Sequence, residues 1–160
     1  MRETLAGNRI VLAGENEIVY DAKTPRILTT PAYTSYVKIA EGCDHRCAFC
    51  AIPLIRGRFR SRSMDDIKRE VTRLAAEGVR EIILVAQDST YYGKDIYGEP
   101  SLARLLQELV KIEKIEWLRV LYCYPKNFTD ELITTIAQEP KICKYVDLPL
   151  QHAHNSILKS

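Results

Sequence analysis

The 160-residue chain carries 23 Lys and Arg against 21 Asp and Glu, a net charge of +2, and 46% of its residues are apolar. That length suits one domain with a packed core, the apolar share excludes a disordered chain, and the even charge does not mark a nucleic-acid binder. No apolar run approaches the ~20 residues of a membrane span, and "MRETLAGNRI" has no signal-peptide core.

Residues 1–34 mix short apolar pairs with Gly, Pro and Thr and read as a linker or edge segment from a preceding domain. From Ser35 onward strand-like and helix-like segments alternate, and 35–160 reads as one truncated core domain. "SYVKIAEG" alternates as a strand and leads into a cysteine-rich loop. "SMDDIKREVTRLAAEG" reads as a helix capped by Ser63, with Ile67, Val71 and Leu74 at helical spacing and Gly78 at its stop. "EIILVAQD" is a short apolar run of the kind buried in a parallel sheet. "SLARLLQELVKI" is an amphipathic helix and "WLRVLYCYP" a strand. "TDELITTIAQE" is a helix capped by Thr129, "KYVDLPLQH" a fourth strand, and "NSILKS" the start of another helix. The fold class is α/β, built of parallel βα repeats with about four strands present.

The loop "EGCDHRCAFCAIP" sets Cys43, Cys47 and Cys50 at C-x3-C-x2-C. With no signal peptide the expected compartment is the cytoplasm, where thiols stay reduced and clustered cysteines are ligands rather than disulfides. A structural zinc site needs four ligands, and His45 is a candidate fourth. An iron–sulfur cubane held by three cysteines keeps one iron open, and an open position marks a site that binds substrate or cofactor. The loop lies at the C-terminal end of the first strand, the edge where parallel α/β folds bind ligands. Gln87 and Asp88, Tyr124, and Gln151 with His152 fall at the ends of the next three strands.

The triplet after a first strand, with Phe49 just before its third cysteine, resembles the radical SAM superfamily. "EGCDHRCAFCAIPLIRGRFRSR" is similar to its methylthiotransferase branch. "ILVAQDSTYYGKDIYG", "LRVLYCYP" and "KYVDLPLQH" resemble the members that modify an aspartate of a small-subunit ribosomal protein. The resemblance covers roughly residues 31–160 and implies part of a TIM-like barrel. It implies that Cys43, Cys47 and Cys50 hold a 4Fe–4S cluster whose open iron takes S-adenosylmethionine. One electron then cleaves that cofactor to a radical, and a methylthio group is transferred. It also implies a ribosomal-protein substrate and a reductant protein as partner; the lack of a long apolar run speaks against a membrane partner, and Asp65 and Asp66, which dilute the nearby arginine run, against direct nucleic-acid binding by this stretch. The family's second cluster belongs to a domain outside this sequence, so this stretch is expected to be incomplete for activity.

Around the cluster, Phe49, Gln87, Asp88, Tyr124 and Gln151 are the expected cofactor contacts. Gln87 and Asp88 stand where the superfamily places a motif facing the methionyl amino group, although Asp88 also suits a cap for the turn "QDST". Cys123 and Cys143 read as small buried hydrophobes, and His152 and His154 as surface residues. Arg56, Arg58, Arg60 and Arg62 form a local charge of +4, either a solvated face or a partner for a carboxylate. Two rival functions use the same residues: a tRNA adenosine methylthiotransferase, and a non-catalytic metal-binding module.

Overall fold

The computed structural model describes residue 7 and residues 19–158. Half of the stretch read as a linker lies outside the described residues, all of "MRETLAGNRI" but Gly7 included, as do the last two residues. Residues 19–33 contain no strand. The first strand, β1 (Thr34–Lys38), leads into a two-residue strand, β2 (Ala40–Glu41). A short helix, α1 (Ile52–Arg56), and β3 (Arg60–Ser61) complete the cysteine-rich excursion. There follow α2 (Met64–Ala76), β4 (Glu81–Val85), α3 (Lys94–Tyr97), α4 (Leu102–Leu109), β5 (Trp117–Val120), α5 (Asp130–Gln138) and α6 (Asn155–Leu158).

The caps fall where the sequence placed them. Ser63 accepts a hydrogen bond from the Asp66 N–H, and Thr129 accepts one from the Leu132 N–H. Gly78 takes a left-handed φ of 107° just past α2, a conformation that costs a glycine little.

The main sheet is parallel, in the order β1-β4-β5. Its register aligns Ser35 with Ile82 and Leu118, and Val37 with Leu84 and Val120. All six are buried. Their apolar members pack with Ile67, Val71 and Leu74 of α2, with Leu102, Leu105, Leu106 and Leu109 of α4, and with Leu132 of α5. Each such side chain contributes roughly 1.5–3 kcal/mol on burial. The alternate rows, Thr34 with Glu81 and Trp117 and Tyr36 with Ile83 and Arg119, point to the other face. That face is far more open: Tyr36 and Trp117 are exposed, and Arg119 pairs with Glu81 at 2.9 Å.

The fourth strand is only started. A single parallel bridge joins Leu118 to Ile142, and the Cys123 N–H donates to the Asp147 carbonyl at 2.9 Å. Residues 144–154 otherwise run without a ladder. Pro149 lacks an N–H, and the Asp147 carboxylate accepts from the Tyr122 N–H at 2.9 Å, a side-chain bond in place of a ladder bond. The described sheet therefore has three strands plus a bridge where about four strands were expected.

Candidate functional site

The cysteine loop is an excursion with a clamped base. β2 and β3 pair antiparallel, Ala40 with Ser61 and Glu41 with Arg60, so residues 42–59 leave and return at one point. Gly42 makes the exit. Its φ is +80°, and a Cβ there would stand 2.0 Å from the Arg58 carbonyl oxygen. The Cys43 N–H donates to the Gly57 carbonyl at 3.2 Å, and the Phe59 N–H to Asp44 Oδ1 at 3.1 Å. Glu41, buried beside this exit, binds Lys38 Nζ at 2.6 Å and lies 3.6 Å from Arg56. Burial raises its pKa, but Lys38 and Arg56 outweigh that and hold it below the usual glutamate value.

All eight residues expected at the cluster and cofactor line one cavity of about 440 Å³. Cys43, Cys47, Phe49 and Cys50 come from the loop, Gln87 and Asp88 from the end of β4, Tyr124 from beyond β5, and Gln151 from the irregular segment. His152, read as a surface residue, is exposed and outside it. Two strained backbones share this cavity. Tyr122 (φ 60°) and Gln151 (φ 63°) are the non-glycine residues with positive φ among those described. Such a conformation costs about 1–2 kcal/mol. Tyr122 was missed in the sequence, because nothing in "VLYCYP" announces a left-handed residue. Gly42 was missed too, although a glycine between a strand and a ligand loop is a readable signal.

The polar groups divide the work. Gln87 Oε1 is buried and has no hydrogen-bond partner among the described residues, a state that costs free energy unless a donor arrives. Asp88 is the opposite. Its Oδ1 accepts from the Thr90 N–H (3.0 Å), the Thr90 hydroxyl (2.5 Å) and the Tyr91 N–H (3.2 Å). Its Oδ2 meets His45 Nε2 at 2.7 Å and the Asn127 amide at 3.0 Å. Asp88 thus caps the turn after β4 and ties in two other loops. His45, the candidate fourth zinc ligand, has its Nε2 engaged by Asp88, and its ring lies tilted against Tyr124 with centroids 4.4 Å apart.

Burial pushes the Cys43 thiol up, and the Asp88 charge adds to this, while the neighbouring His45 backbone N–H opposes it. Burial pushes the Cys123 thiol up to about 12, with Asp88 and Asp147 adding to it. Such a thiol is inert, as expected of a small buried residue. The arginine run does not act as one patch. Arg62 is buried, bonded to Asp66 and Glu70 at 2.6 Å each and to the Lys38 carbonyl at 2.7 Å, whereas Arg58 lies exposed.

The three thiols that line the cavity are a donor set of the kind an iron–sulfur cubane takes. Among the described residues no three His, Cys, Asp or Glu side chains close round a point that would hold a single ion. A tetrahedral zinc needs every thiolate ~2.3 Å from one metal. A cubane takes one thiolate per iron, so its ligands stand farther apart around a shared volume.

A family model described as the Radical SAM superfamily matches residues 37–160, and the chain belongs to that superfamily. It is a superfamily of enzymes, and the expected cofactors, a 4Fe–4S cluster and S-adenosylmethionine, are its cofactors. The chain is 60% identical over 142 residues to a protein of Desulforamulus reducens named ribosomal protein uS12 methylthiotransferase RimO, covering 89% of this chain and 32% of that protein. A Heliobacterium modesticaldum protein of the same name is 52% identical over 158 residues, covering 99% and 34%. The chain thus spans about a third of the length of these curated relatives. Among solved structures, the radical S-adenosylmethionine methyltransferase TsrM of Kitasatospora setae, with tryptophan and a cofactor analogue bound, matches with a TM-score of 0.62. The identity is 20%, and the match covers 79% of this chain and 23% of that one. This likeness is one of fold, and it sets the open three-stranded sheet within a partial barrel. Among the described residues no helix is long and apolar enough to cross a membrane.

Proposed function

We propose that residues 35–160 are the N-terminal part of the radical SAM core of a methylthiotransferase, with residues 1–34 leading into it. Its substrate is an aspartate of a small-subunit ribosomal protein of the uS12 kind. One observation carries the chemistry: three thiols and an unpartnered buried acceptor face the same cavity at the C-terminal rim of a parallel sheet. Cys43, Cys47 and Cys50 would hold the cluster. When bound, it would supply the electron that cleaves S-adenosylmethionine.

The chain's own residues bind and orient. Gln87 Oε1 would accept from the cofactor's ammonium group, which brings the missing donor. Phe49, Tyr124 and Gln151 would line the rest and exclude water, which leaves the difficult chemistry to the cofactor. Asp88, with both oxygens engaged, would shape the site rather than meet the ammonium. The substrate assignment is supported by the names of relatives 52–60% identical to this chain. On this reading the protein works in the cytoplasm with a reductant protein as partner.

The test uses the full-length protein, anaerobically reconstituted, with mass-labelled methyl donor. It is offered small-subunit ribosomal protein and, separately, tRNA. Label on an aspartate of the protein supports the reading, and label on tRNA adenosine overturns the substrate. Cys43→Ala, Cys47→Ala and Cys50→Ala should each abolish uptake of about four irons per chain, while Cys143→Ala should not. Stoichiometric zinc without iron uptake would overturn the chemistry as well.

A further inference from the structure

Tyr122 stands where the period of its own strand would not put it. Along β5, Leu118 and Val120 point into the core, while Trp117 and Arg119 face the other way. Strict alternation would carry Tyr122 into the core after Val120. Instead Tyr122 is 54% exposed, and Cys123 is buried. The alternation breaks at the left-handed φ of Tyr122 itself. Both of its backbone groups are held. Its N–H donates to Asp147 Oδ2 at 2.9 Å, and its carbonyl accepts from the Ser89 N–H at 2.8 Å. The next N–H, of Cys123, donates to the Asp147 carbonyl. A strained residue persists only where its surroundings over-determine it, and such residues gather at ligand sites.

The residue so displaced lines the cavity of the cysteine loop. The groups read there as cluster and ammonium contacts, Cys43 and Gln87 Oε1, are buried. Tyr122 lies on the open side, and among the described residues its hydroxyl meets no hydrogen-bond partner. We propose that Tyr122 is a substrate-contact residue, turned out of the strand by the Asp147 and Ser89 clamp so that its hydroxyl donates to the carboxylate of an aspartate on the incoming protein. This rests on the reading of the substrate as a ribosomal-protein aspartate and names the residue that meets it. A hydroxyl donating to a carboxylate makes a charge-assisted bond, stronger than a neutral one. Asp147 is a positioning residue, because it acts through the Tyr122 backbone.

The test uses the full-length, reconstituted protein and the small-subunit ribosomal protein. Tyr122→Phe keeps the ring and the backbone and removes the donor. Its KM for the ribosomal protein should rise on the order of tenfold, with the KM for S-adenosylmethionine within about twofold of wild type. Asp147→Ala should raise the same KM. Asp147→Asn, whose amide oxygen still accepts from the Tyr122 N–H, should recover most of it. Tyr122→Gly should unfold at a higher denaturant concentration than Tyr122→Ala, because glycine takes a positive φ without strain. A Tyr122→Phe with wild-type KM for the ribosomal protein overturns the contact. An equal rise in both KM values assigns Tyr122 to the cofactor and overturns it too. A Tyr122→Ala as stable as Tyr122→Gly, or an Asp147→Asn no better than Asp147→Ala, overturns the clamp. A wild-type protein that labels no aspartate of the ribosomal protein overturns the substrate reading itself, and this proposal with it.

Discussion

Gly42 shows how much one missing side chain decides. The loop can leave and return at one point because the chain at Gly42 turns left-handed and passes close under the Arg58 carbonyl. The atom met is backbone, so no rotamer change can relieve the contact. Gly42→Ala adds a clash and a strained φ together, each in the range of roughly 1–3 kcal/mol. We expect it to lower the unfolding free energy by at least ~2 kcal/mol and to cost iron uptake, because Cys43 is the next residue along the displaced loop base. Chemical denaturation of the metal-free protein, alongside iron analysis, checks this. A variant as stable as wild type would show that the loop base yields more easily than its geometry implies. Gln87 and Asp88 teach the complementary lesson. Adjacent in sequence and equal as candidates there, they differ because one oxygen is left unpartnered and the other residue is fully engaged.

At the scale of elements, α2 is the anchor for the segment that precedes the sheet. Asp66 accepts from the Ala22 N–H at 3.2 Å and from Arg62 and Arg69, Glu70 pairs with Arg26 at 2.8 Å, and Arg73 donates to the Ala22 carbonyl. Arg26 also reaches the Ser35 hydroxyl. The arginine that looked like part of a solvated run, Arg62, is the buried centre of this network. Burial raises the Asp66 pKa, but Arg62, the Ala22 N–H and Arg69 outweigh it, and the folded value lies below the ordinary 3.8. The sign follows. A carboxyl depressed in the folded state contributes its full stability above the unfolded pKa of ~3.9, and that stability is lost as pH falls through the lower folded value. Hydrogen exchange in residues 19–26, corrected for intrinsic rates, should therefore quicken as the pH drops below about 4. At pH 7 Asp66→Asn should speed it to a similar degree and cost about 1–3 kcal/mol. Protection that is unchanged in Asp66→Asn would mean that the arginine contacts to Glu70 and the Ala22 carbonyl hold the segment without Asp66.

At the scale of the whole molecule, the side beyond β5 is the open one. β5 pairs fully with β4 on one edge and carries only the Ile142 bridge on the other. Next to it, Phe128, Ile133, Ile136, Val146 and Leu148 line an apolar groove of about 530 Å³. Of these, Ile133 and Val146 are exposed. Contiguous apolar surface beside an incomplete sheet edge recruits another chain. The 160-residue chain by itself should therefore self-associate, with a light-scattering mass that rises above 18.3 kDa with concentration. The pair Ile133→Lys and Val146→Lys should bring the mass back towards the monomer. A wild-type chain that stays monomeric at high concentration would show that this groove is covered from within.

The sequence by itself determined the βα alternation, the caps at Ser63 and Thr129, the buried rows on the sheet and the cysteine loop at the end of β1. These rest on local periods and spacings, and a period of two or of 3.6 is written in the order of residues. It also brought the candidate residues to one rim, since in a parallel sheet every strand ends on the same side. Tertiary structure alone decided the rest. The left-handed turn at Tyr122, the burial of Arg62, the unfinished pairing of residues 144–152 and the hold of Asp88 on His45 each depend on a partner some 20 to 45 residues distant or on a neighbouring loop. Such contacts are set by how elements pack, and neither period nor composition encodes which acceptor a buried side chain will find.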